Sequence, residues 1–138
     1  MNKKRISSSR ITHLALNEIF VFGSNLQGAH GGGAARMAYE HFGAVWGKGV
    51  GLFGQSYAIP TMQGGVETIK PYVDDFLRFA IEHRELDFLV TEIGCGIAGF
   101  TPQEVAPLFF KAIECDVRNV YLPESFYAVY ESLNDNVC

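Results

Sequence analysis

Residues 19–33 read IFVFGSNLQGAHGGG, an apolar run followed by a glycine-rich segment. The apolar run combines β-branched and aromatic side chains and stops at Gly23, a pattern that predicts a short buried strand. From about Gly33 the chain continues as AARMAYEHF, whose strong helix formers predict a helix that ends near Gly43. This stretch therefore predicts a strand joined to a helix by a glycine loop.

A second strand, glycine loop and helix are predicted at residues 88–113. The apolar residues from Phe88 to Ile93 predict the strand, and residues 94–100 read GCGIAGF. The next four residues, 101–104, read TPQE. They place threonine at the N-cap, proline at the first helical position and glutamate two residues further on, which together form a capping box. This is a specific signal for the start of a helix.

The hydrophobic pattern of the rest of the chain completes an alternation of strands and helices. We predict further strands at 56–59 and 120–122, and further helices at 69–82 and about 125–133. Four successive strand–helix units predict an α/β fold, a three-layer α/β/α sandwich with a mostly parallel or mixed central sheet. No internal repeat or linker interrupts the pattern. We therefore predict one domain over residues 14–138, preceded by a flexible, basic and serine-rich tail at residues 1–13.

The composition is that of a folded domain and argues against one class of ligand. Hydrophobic residues make up 48% of the 138 residues and charged residues 19%. The net charge of −4 argues against general nucleic-acid binding, because a surplus of Lys and Arg is needed to displace counterions from the phosphate backbone.

The three cysteines and the hydropathy pattern indicate a protein of the cytoplasm. Cys95, Cys115 and Cys138 form neither a disulfide framework nor a metal-ligand spacing, so no metal site is predicted. No apolar run approaches the roughly 20 residues that span a bilayer. The basic amino terminus is not followed by the apolar core of a secretory signal. We therefore expect a cytoplasmic protein that does not associate with membranes.

The two glycine loops form the candidate ligand site. Loops that follow parallel strands emerge at the same edge of a sheet, and ligands bind there where the strand order reverses. Glycine lets a ligand approach the backbone closely, and the amino terminus of each following helix offers free N–H groups to an anion. Such a site can hold a phosphate without a lysine. The predicted ligand-binding residues are Gly23, Ser24, Asn25, Gly28, Gly31, Gly32, Gly33, Gly94, Cys95, Gly96, Ile97, Ala98, Gly99 and Phe100.

Two alternatives remain open from the pattern alone. The spacing G-x-G-x-x-G at 94–99 follows a predicted strand and is compatible with a Rossmann-like domain for NAD or another nucleotide. The same spacing at 49–54 precedes a strand, which is the wrong place for that motif. The second alternative is a non-enzymatic interaction module in which the glycine loops are purely structural.

Three segments carry a resemblance to macro domains. Residues 96–102, GIAGFTP, resemble the second phosphate loop of that family, and residues 25–35 are similar to its first loop. Residues 55–60, QSYAIP, are similar to the family's G-Y-x-L-P strand. The resemblance implies an α/β/α sandwich that binds ADP-ribose, with the pyrophosphate between the two loops. The family's G-D-I-T segment, whose aspartate contacts adenine, has no counterpart here, so the base is left open.

The resemblance also suggests partners and activities. It implies ADP-ribose or a similar nucleotide as the ligand, and an ADP-ribosylated macromolecule as its carrier. Some family members only bind ADP-ribose and others hydrolyse its derivatives, so the sequence leaves enzymatic activity open; no cofactor is predicted. Asn25 would contact the distal ribose, and it is a candidate catalytic residue together with His30, a potential general base. Asn25 can instead form a hydrogen bond within its own turn, and His30 can instead be an ordinary surface side chain.

Two further residues near the second loop carry reactive groups. Glu92 precedes the loop, where its carboxylate could activate a water molecule or simply face solvent. Cys95 lies between two glycines, where it could be a nucleophile or simply a small residue.

Overall fold

A computed structural model describes residues 4–135, and these residues form an α/β fold. Residues 1–3 of the predicted tail and Cys138 lie outside the described residues. The strands are β1 (Ile6–Ser7), β2 (Glu18–Ser24), β3 (Gly51–Phe53), β4 (Ser56–Pro60), β5 (Asp87–Val90) and β6 (Val120–Pro123). The helices are α1 (Gly33–His41), α2 (Lys70–Glu82), α3 (Pro102–Val105), α4 (Phe110–Glu114) and α5 (Glu124–Asp135), with 3₁₀ turns at Val66–Thr68 and Ala106–Phe109.

The strands form one mostly parallel sheet in the order β1-β6-β5-β2-β4-β3. Only β3 runs antiparallel, against β4. The chain leaves β2 toward β4 on one side, and it leaves β5 toward β6 on the other. The strand order therefore reverses between β2 and β5, at the centre of the sheet. In open α/β sheets this is the position where the strand ends leave a crevice for a ligand.

Strand β2 has a buried core on each of its faces. Ile19 and Val21 belong to a large apolar cluster that includes side chains of α2, α3 and α5. The alternate residues Phe20 and Phe22 belong to a smaller cluster with Ala35 and Ala38 of α1. Because successive strand side chains point to opposite faces, β2 is covered on both sides. This explains why its sequence is continuously apolar.

The prediction of a flexible tail over residues 1–13 is wrong for Ile6 and Ser7. These two residues form β1, which pairs in parallel with β6 at the edge of the sheet. The Ser7 side chain is buried, and its Oγ donates a hydrogen bond to the carbonyl oxygen of Val90 at 2.6 Å. The Arg5 guanidinium is 2.9 Å from the Asp116 carboxylate. Because backbone pairing and polar contacts hold this segment in place, it needs no run of apolar side chains. Its sequence therefore lacks the apolar pattern from which a strand is predicted.

The helix predicted after the second loop is shorter and more irregular than expected. Its capping box is confirmed: the Glu104 backbone N–H donates to Thr101 Oγ1 at 3.3 Å, and the Thr101 N–H donates to Glu104 Oε1 at 3.0 Å. Pro107 then falls inside the predicted helix. Proline has no N–H and its ring crowds the preceding turn. The chain accordingly passes through a 3₁₀ turn before α4 begins.

A buried asparagine joins the end of α2 to the strands that follow. Asn119 is 7% exposed, and its Nδ2 donates to the carbonyl oxygens of Ala80, His83 and Leu86 at 2.9, 3.0 and 3.0 Å. These carbonyls belong to the last turn of α2 and to the turn before β5. One amide group therefore contacts three carbonyl oxygens, of which those of Ala80 and His83 also accept backbone N–H groups.

We expect Asn119→Asp to lower the free energy of unfolding by about 3 kcal/mol, because a carboxylate would face three carbonyl oxygens with no hydrogen to donate. Urea denaturation followed by circular dichroism measures the change. The matched control is Asn134→Asp at an exposed position of α5, with an expected effect of about 0.5 kcal/mol or less. Equal effects of the two substitutions would show that the Asn119 contacts do not stabilise the fold.

Candidate functional site

The two glycine loops meet at one cavity at the carboxyl ends of β2 and β5. This loop cavity has a volume of about 420 Å³. Of the predicted site residues, it is lined by Gly23, Ser24, Asn25, Gly32, Gly33, Gly94, Cys95, Gly96, Ile97 and Ala98. Five others do not line it, namely Gly28, His30, Gly31, Gly99 and Phe100. Sequence reasoning missed Thr61 and Met62, which follow β4 and also line the cavity.

The loops are in close contact where they leave the sheet. A Cβ atom added to Gly23 would lie 3.4 Å from the backbone nitrogen of Gly94 and 3.3 Å from Cγ2 of Thr61. A Cβ atom on Gly32 would lie 3.4 Å from Cδ1 of Ile97, across the cavity mouth. A side chain at position 23 would therefore be tightly confined by Gly94 and Thr61, and the two loops lie side by side at one cavity.

Both loops present backbone amides without acceptors. Within residues 4–135, the N–H groups of Gly33, Ala34 and Ala35, in the first turn of α1, have no hydrogen-bond partner. The same holds in the described chain for the N–H groups of the second loop at residues 96–98. Unpaired amides at a helix amino terminus attract anions, because they donate hydrogen bonds and carry the positive end of the helix dipole.

Glu92 is the single charged side chain among the residues that line the loop cavity. Its Oε2 accepts a hydrogen bond from Ser125 Oγ at 2.7 Å, which ties it to the first turn of α5. Among the described residues, 4–135, neither Lys nor Arg lines this cavity. Any anion bound here would therefore be held by backbone amides.

Phe100 lies beneath the second loop. Its ring packs against the large apolar cluster, and a Cβ atom on Gly94 would lie 3.3 Å from Phe100 Cδ2. Gly94 has φ +78°, a conformation that disfavours other residues. Phe100 thus supports the loop from below, and the expected contact with a ligand does not fit its position.

Cys95 lines the cavity as a neutral thiol. Burial, with smaller contributions from the Glu92 and Glu104 carboxylates, raises the pKa of the Cys95 thiol to about 11. The thiolate is the nucleophilic form of cysteine, so at neutral pH this residue is poorly suited to nucleophilic attack. A small, uncharged side chain is the simpler explanation of its place between two glycines.

We expect iodoacetamide to alkylate Cys95 about 100-fold more slowly at pH 8 in the folded protein than in urea. A raised pKa leaves about one thiolate per thousand molecules at pH 8. The rate should continue to rise with pH beyond pH 9. Peptide mass spectrometry measures the reaction at Cys95, and the exposed Cys115 reports reagent activity. A Cys95 rate that levels off below pH 9 would contradict the raised pKa.

Asn25 lines the cavity but is also part of the loop's own structure. Its Oδ1 accepts from the Ala29 N–H at 2.9 Å, and its Nδ2 donates to the Ala29 carbonyl oxygen at 3.1 Å. The Asn25 carbonyl oxygen accepts from the Gly28 N–H at 2.9 Å. A carboxamide carries a second N–H, so the side chain can still donate one hydrogen bond to a ligand.

His30 does not occupy the position that its predicted catalytic role requires. The residue is 1% exposed and does not line the loop cavity. Its Nε2 lies 3.0 Å from the Val45 carbonyl oxygen and 3.2 Å from that of Lys48, so this nitrogen must donate. The ring packs edge-on against Phe22, with 5.5 Å between centroids. His30 therefore fastens the first loop to residues 45–48, and a role as general base in this cavity is not supported.

Residues 45–49 act as a backbone support for the first loop. The Gly47 N–H donates to the Gly28 carbonyl oxygen at 2.9 Å, and Ser24 Oγ donates to the Gly49 carbonyl oxygen. A Cβ atom on Gly49 would lie 1.9 Å from the Asn25 carbonyl oxygen. The two segments are therefore in direct backbone contact. In the sequence this contact is marked by two glycines, Gly47 and Gly49, on either side of Lys48. Glycines by themselves do not indicate which segment of the chain they contact.

We expect Gly49→Ala to lower the free energy of unfolding by about 2 kcal/mol or more, because the methyl group would overlap the Asn25 carbonyl oxygen. Gly96→Ala is the matched control, since a Cβ there meets no atom within 4 Å and the backbone has no positive φ. Its effect should stay within about 0.5 kcal/mol. Thermal and urea unfolding compare the variants. Equal stability of the two variants would contradict the close approach of these segments.

A second cavity of about 660 Å³ lies beside the first. This side cavity is bounded by residues 6–12, by α1 and by the start of α5. It shares Gly33, Ala34, Thr91 and Glu92 with the loop cavity, so the two cavities adjoin. Its polar lining comprises Ser7, Ser8, Ser9, Arg10, Thr12, Thr91, Glu92, Glu124 and Ser125. The sequence did not indicate it, because residues 7–12 were predicted to be a tail.

Comparison with known proteins gives no match to this chain among family models, curated proteins or solved structures. Within residues 4–135, no helix is long and apolar enough to cross a membrane. The same residues contain no group of three or more His, Cys, Asp or Glu side chains placed to hold a metal ion.

Proposed function

We propose that this chain is an α/β/α sandwich of the macro-domain type that binds ADP-ribose or a closely related nucleotide diphosphate. The observation that carries the proposal is the set of unpaired amides from two loops around one cavity without Lys or Arg. Three amides come from the first turn of α1 and three from residues 96–98. A diphosphate has the charge and the acceptor oxygens that match both sets.

The crevice formed by the two adjoining cavities supports a ligand longer than a diphosphate. It runs from Thr61, after β4, to Ser7 in β1, a path of four inter-strand steps. At a strand spacing of about 4.8 Å, this path is about 19 Å long. In the proposed pose the diphosphate lies between the loops, the distal ribose lies toward Asn25, and the nucleoside extends into the side cavity. Both volumes fall in the range of small-molecule sites.

The residues favour recognition over hydrolysis. Hydrolysis of an ADP-ribosyl bond needs a group that accepts a proton from water near the distal ribose. His30 is buried away from the cavity, and Cys95 is a neutral thiol. Asn25 can orient a ligand or a water molecule but cannot act as a base. The Glu92 carboxylate lies at the junction with the side cavity, which in the proposed pose holds the nucleoside and not the distal ribose. We therefore propose a binding protein for free ADP-ribose or for a macromolecule that carries it.

The proposed location is the cytoplasm. Cys95 and Cys115 are both free, which agrees with a reducing compartment.

Isothermal titration calorimetry with ADP-ribose tests the proposal. We expect Gly96→Glu to weaken binding by about 100-fold or more, because the new carboxylate would lie among amides that hold the diphosphate. A side chain has space at this position, so the variant should fold. Gln103→Glu adds the same charge at an exposed position of α3, outside the cavity lining, and should bind normally.

Three results would oppose the proposal. The first is no heat from folded wild-type protein at millimolar ADP-ribose. The second is equal affinity of wild type and Gly96→Glu, which would indicate that the loops are structural. The third is NADH binding that is tighter than ADP-ribose binding, which would favour the Rossmann-like alternative.

A further inference from the structure

We propose that Glu92 selects nucleotides whose nucleoside ribose has free hydroxyl groups and excludes those with a phosphate on that ribose. The inference rests on the proposed function and adds a ligand preference to it. Its basis is the place of one carboxylate at the junction of the two cavities.

Glu92 marks the point where the chemistry of the crevice changes. On one side the loop cavity offers unpaired amides and no cationic side chain. On the other side the side cavity is lined by hydroxyl groups, including Ser7, Ser9 and Ser125, and by the cationic side chain of Arg10. Glu92 lines both cavities. In a nucleotide that spans them, the group between the diphosphate and the base is a ribose, so the ribose falls beside this carboxylate.

The carboxylate is held in place and retains acceptor capacity. Ser125 Oγ donates to Glu92 Oε2 at 2.7 Å, and Ser125 lies at the second position of α5. One such bond leaves Oε1 and a further lone pair free to accept from two ligand hydroxyls. A carboxylate that receives hydrogen bonds from ribose hydroxyls is a known way to recognise an unmodified ribose.

The charge of Glu92 is not neutralised within the described part of the chain. The side chain is exposed, and residues 4–135 provide it with no Lys, Arg or His partner within ion-pair distance. Its field reaches the next residues, since it contributes to the raised pKa of the Cys95 thiol. A phosphate on the adjacent ribose would bring a second negative charge beside Glu92, and Arg10, the cation among residues 4–135 that line the side cavity, lies beyond ion-pair distance of Glu92. The same group therefore favours hydroxyls and opposes phosphate.

The test compares the affinities of ADP-ribose, its 2′-phosphate and its 2′-deoxy analogue, both altered on the adenosine ribose. For wild type we expect ADP-ribose to bind about tenfold or more tightly than either analogue, since each loses a hydrogen bond to a charged group. For Glu92→Gln, we expect both ratios, the affinity of ADP-ribose relative to each of the two analogues, to fall to about threefold or less. Ser125→Ala should lower them partially, because it releases the carboxylate without removing it. Glu82→Gln removes an exposed charge on α2, outside both cavities, and should leave the ratios unchanged.

The outcomes separate this inference from the proposed function. If wild type binds ADP-ribose, Gly96→Glu does not, and Glu92→Gln keeps both ratios, the proposed function stands and the role of Glu92 is overturned. If folded wild-type protein binds none of the three ligands, both are overturned. Thermal unfolding of each variant confirms that it is folded. Should Glu92→Gln fail to fold, an unchanged ratio in Ser125→Ala overturns the inference and a lowered ratio supports it.

Discussion

The candidate site depends on the parallel pairing of β2 with β5. Val21 and Val90 are paired in register, and Thr91 extends the contact beyond the end of β5, where its N–H and Oγ1 both donate to the Val21 carbonyl oxygen at 3.1 and 2.8 Å. These bonds fix the direction in which the chain leaves β5. Gly23 then passes close to the backbone of Gly94. Two loops that are 61 residues or more apart in sequence, from Gly33 to Gly94, are thereby held at one cavity.

In our proposal, anion binding by backbone amides explains how an acidic chain can hold a diphosphate. The chain has a net charge of −4, and a cluster of lysines would be the more common way to attract phosphate. Amides fixed by a helix and a loop need little reorganisation when a ligand binds, so less binding free energy is lost to ordering. They also offer donors in a fixed geometry. In our proposal this geometry, together with the Glu92 carboxylate, supplies selectivity that a mobile ammonium group cannot.

The sequence allowed the central elements to be predicted because side-chain patterns specify them. The apolar run at Ile19–Phe22 lies within β2, the TPQE segment forms the predicted capping box, and both glycine loops reach one cavity. The parts that were missed are held by backbone contacts or single polar groups. β1 is two residues long and pairs through its backbone, and residues 45–49 support the first loop through carbonyl and amide groups. In the sequence such contacts are marked only by glycines, and a glycine does not indicate which segment of the chain it contacts. The side cavity was missed for the same reason, since β1 brings its lining residues to the sheet.

The polar side chains of the first loop are used mainly to hold the loop itself. Asn25 closes the turn to Ala29, Ser24 binds the Gly49 carbonyl oxygen, and His30 binds two carbonyl oxygens of the supporting segment. Each of these groups would be a plausible catalytic candidate from sequence, because the same residue types serve both purposes. In the folded protein these contacts with the backbone hold all three side chains in place, although one N–H of Asn25 stays free and the buried Nδ1 of His30 has no partner. In our proposal, what the loop offers a ligand is therefore an array of fixed amides, and such an array is better suited to recognising a diphosphate than to moving protons.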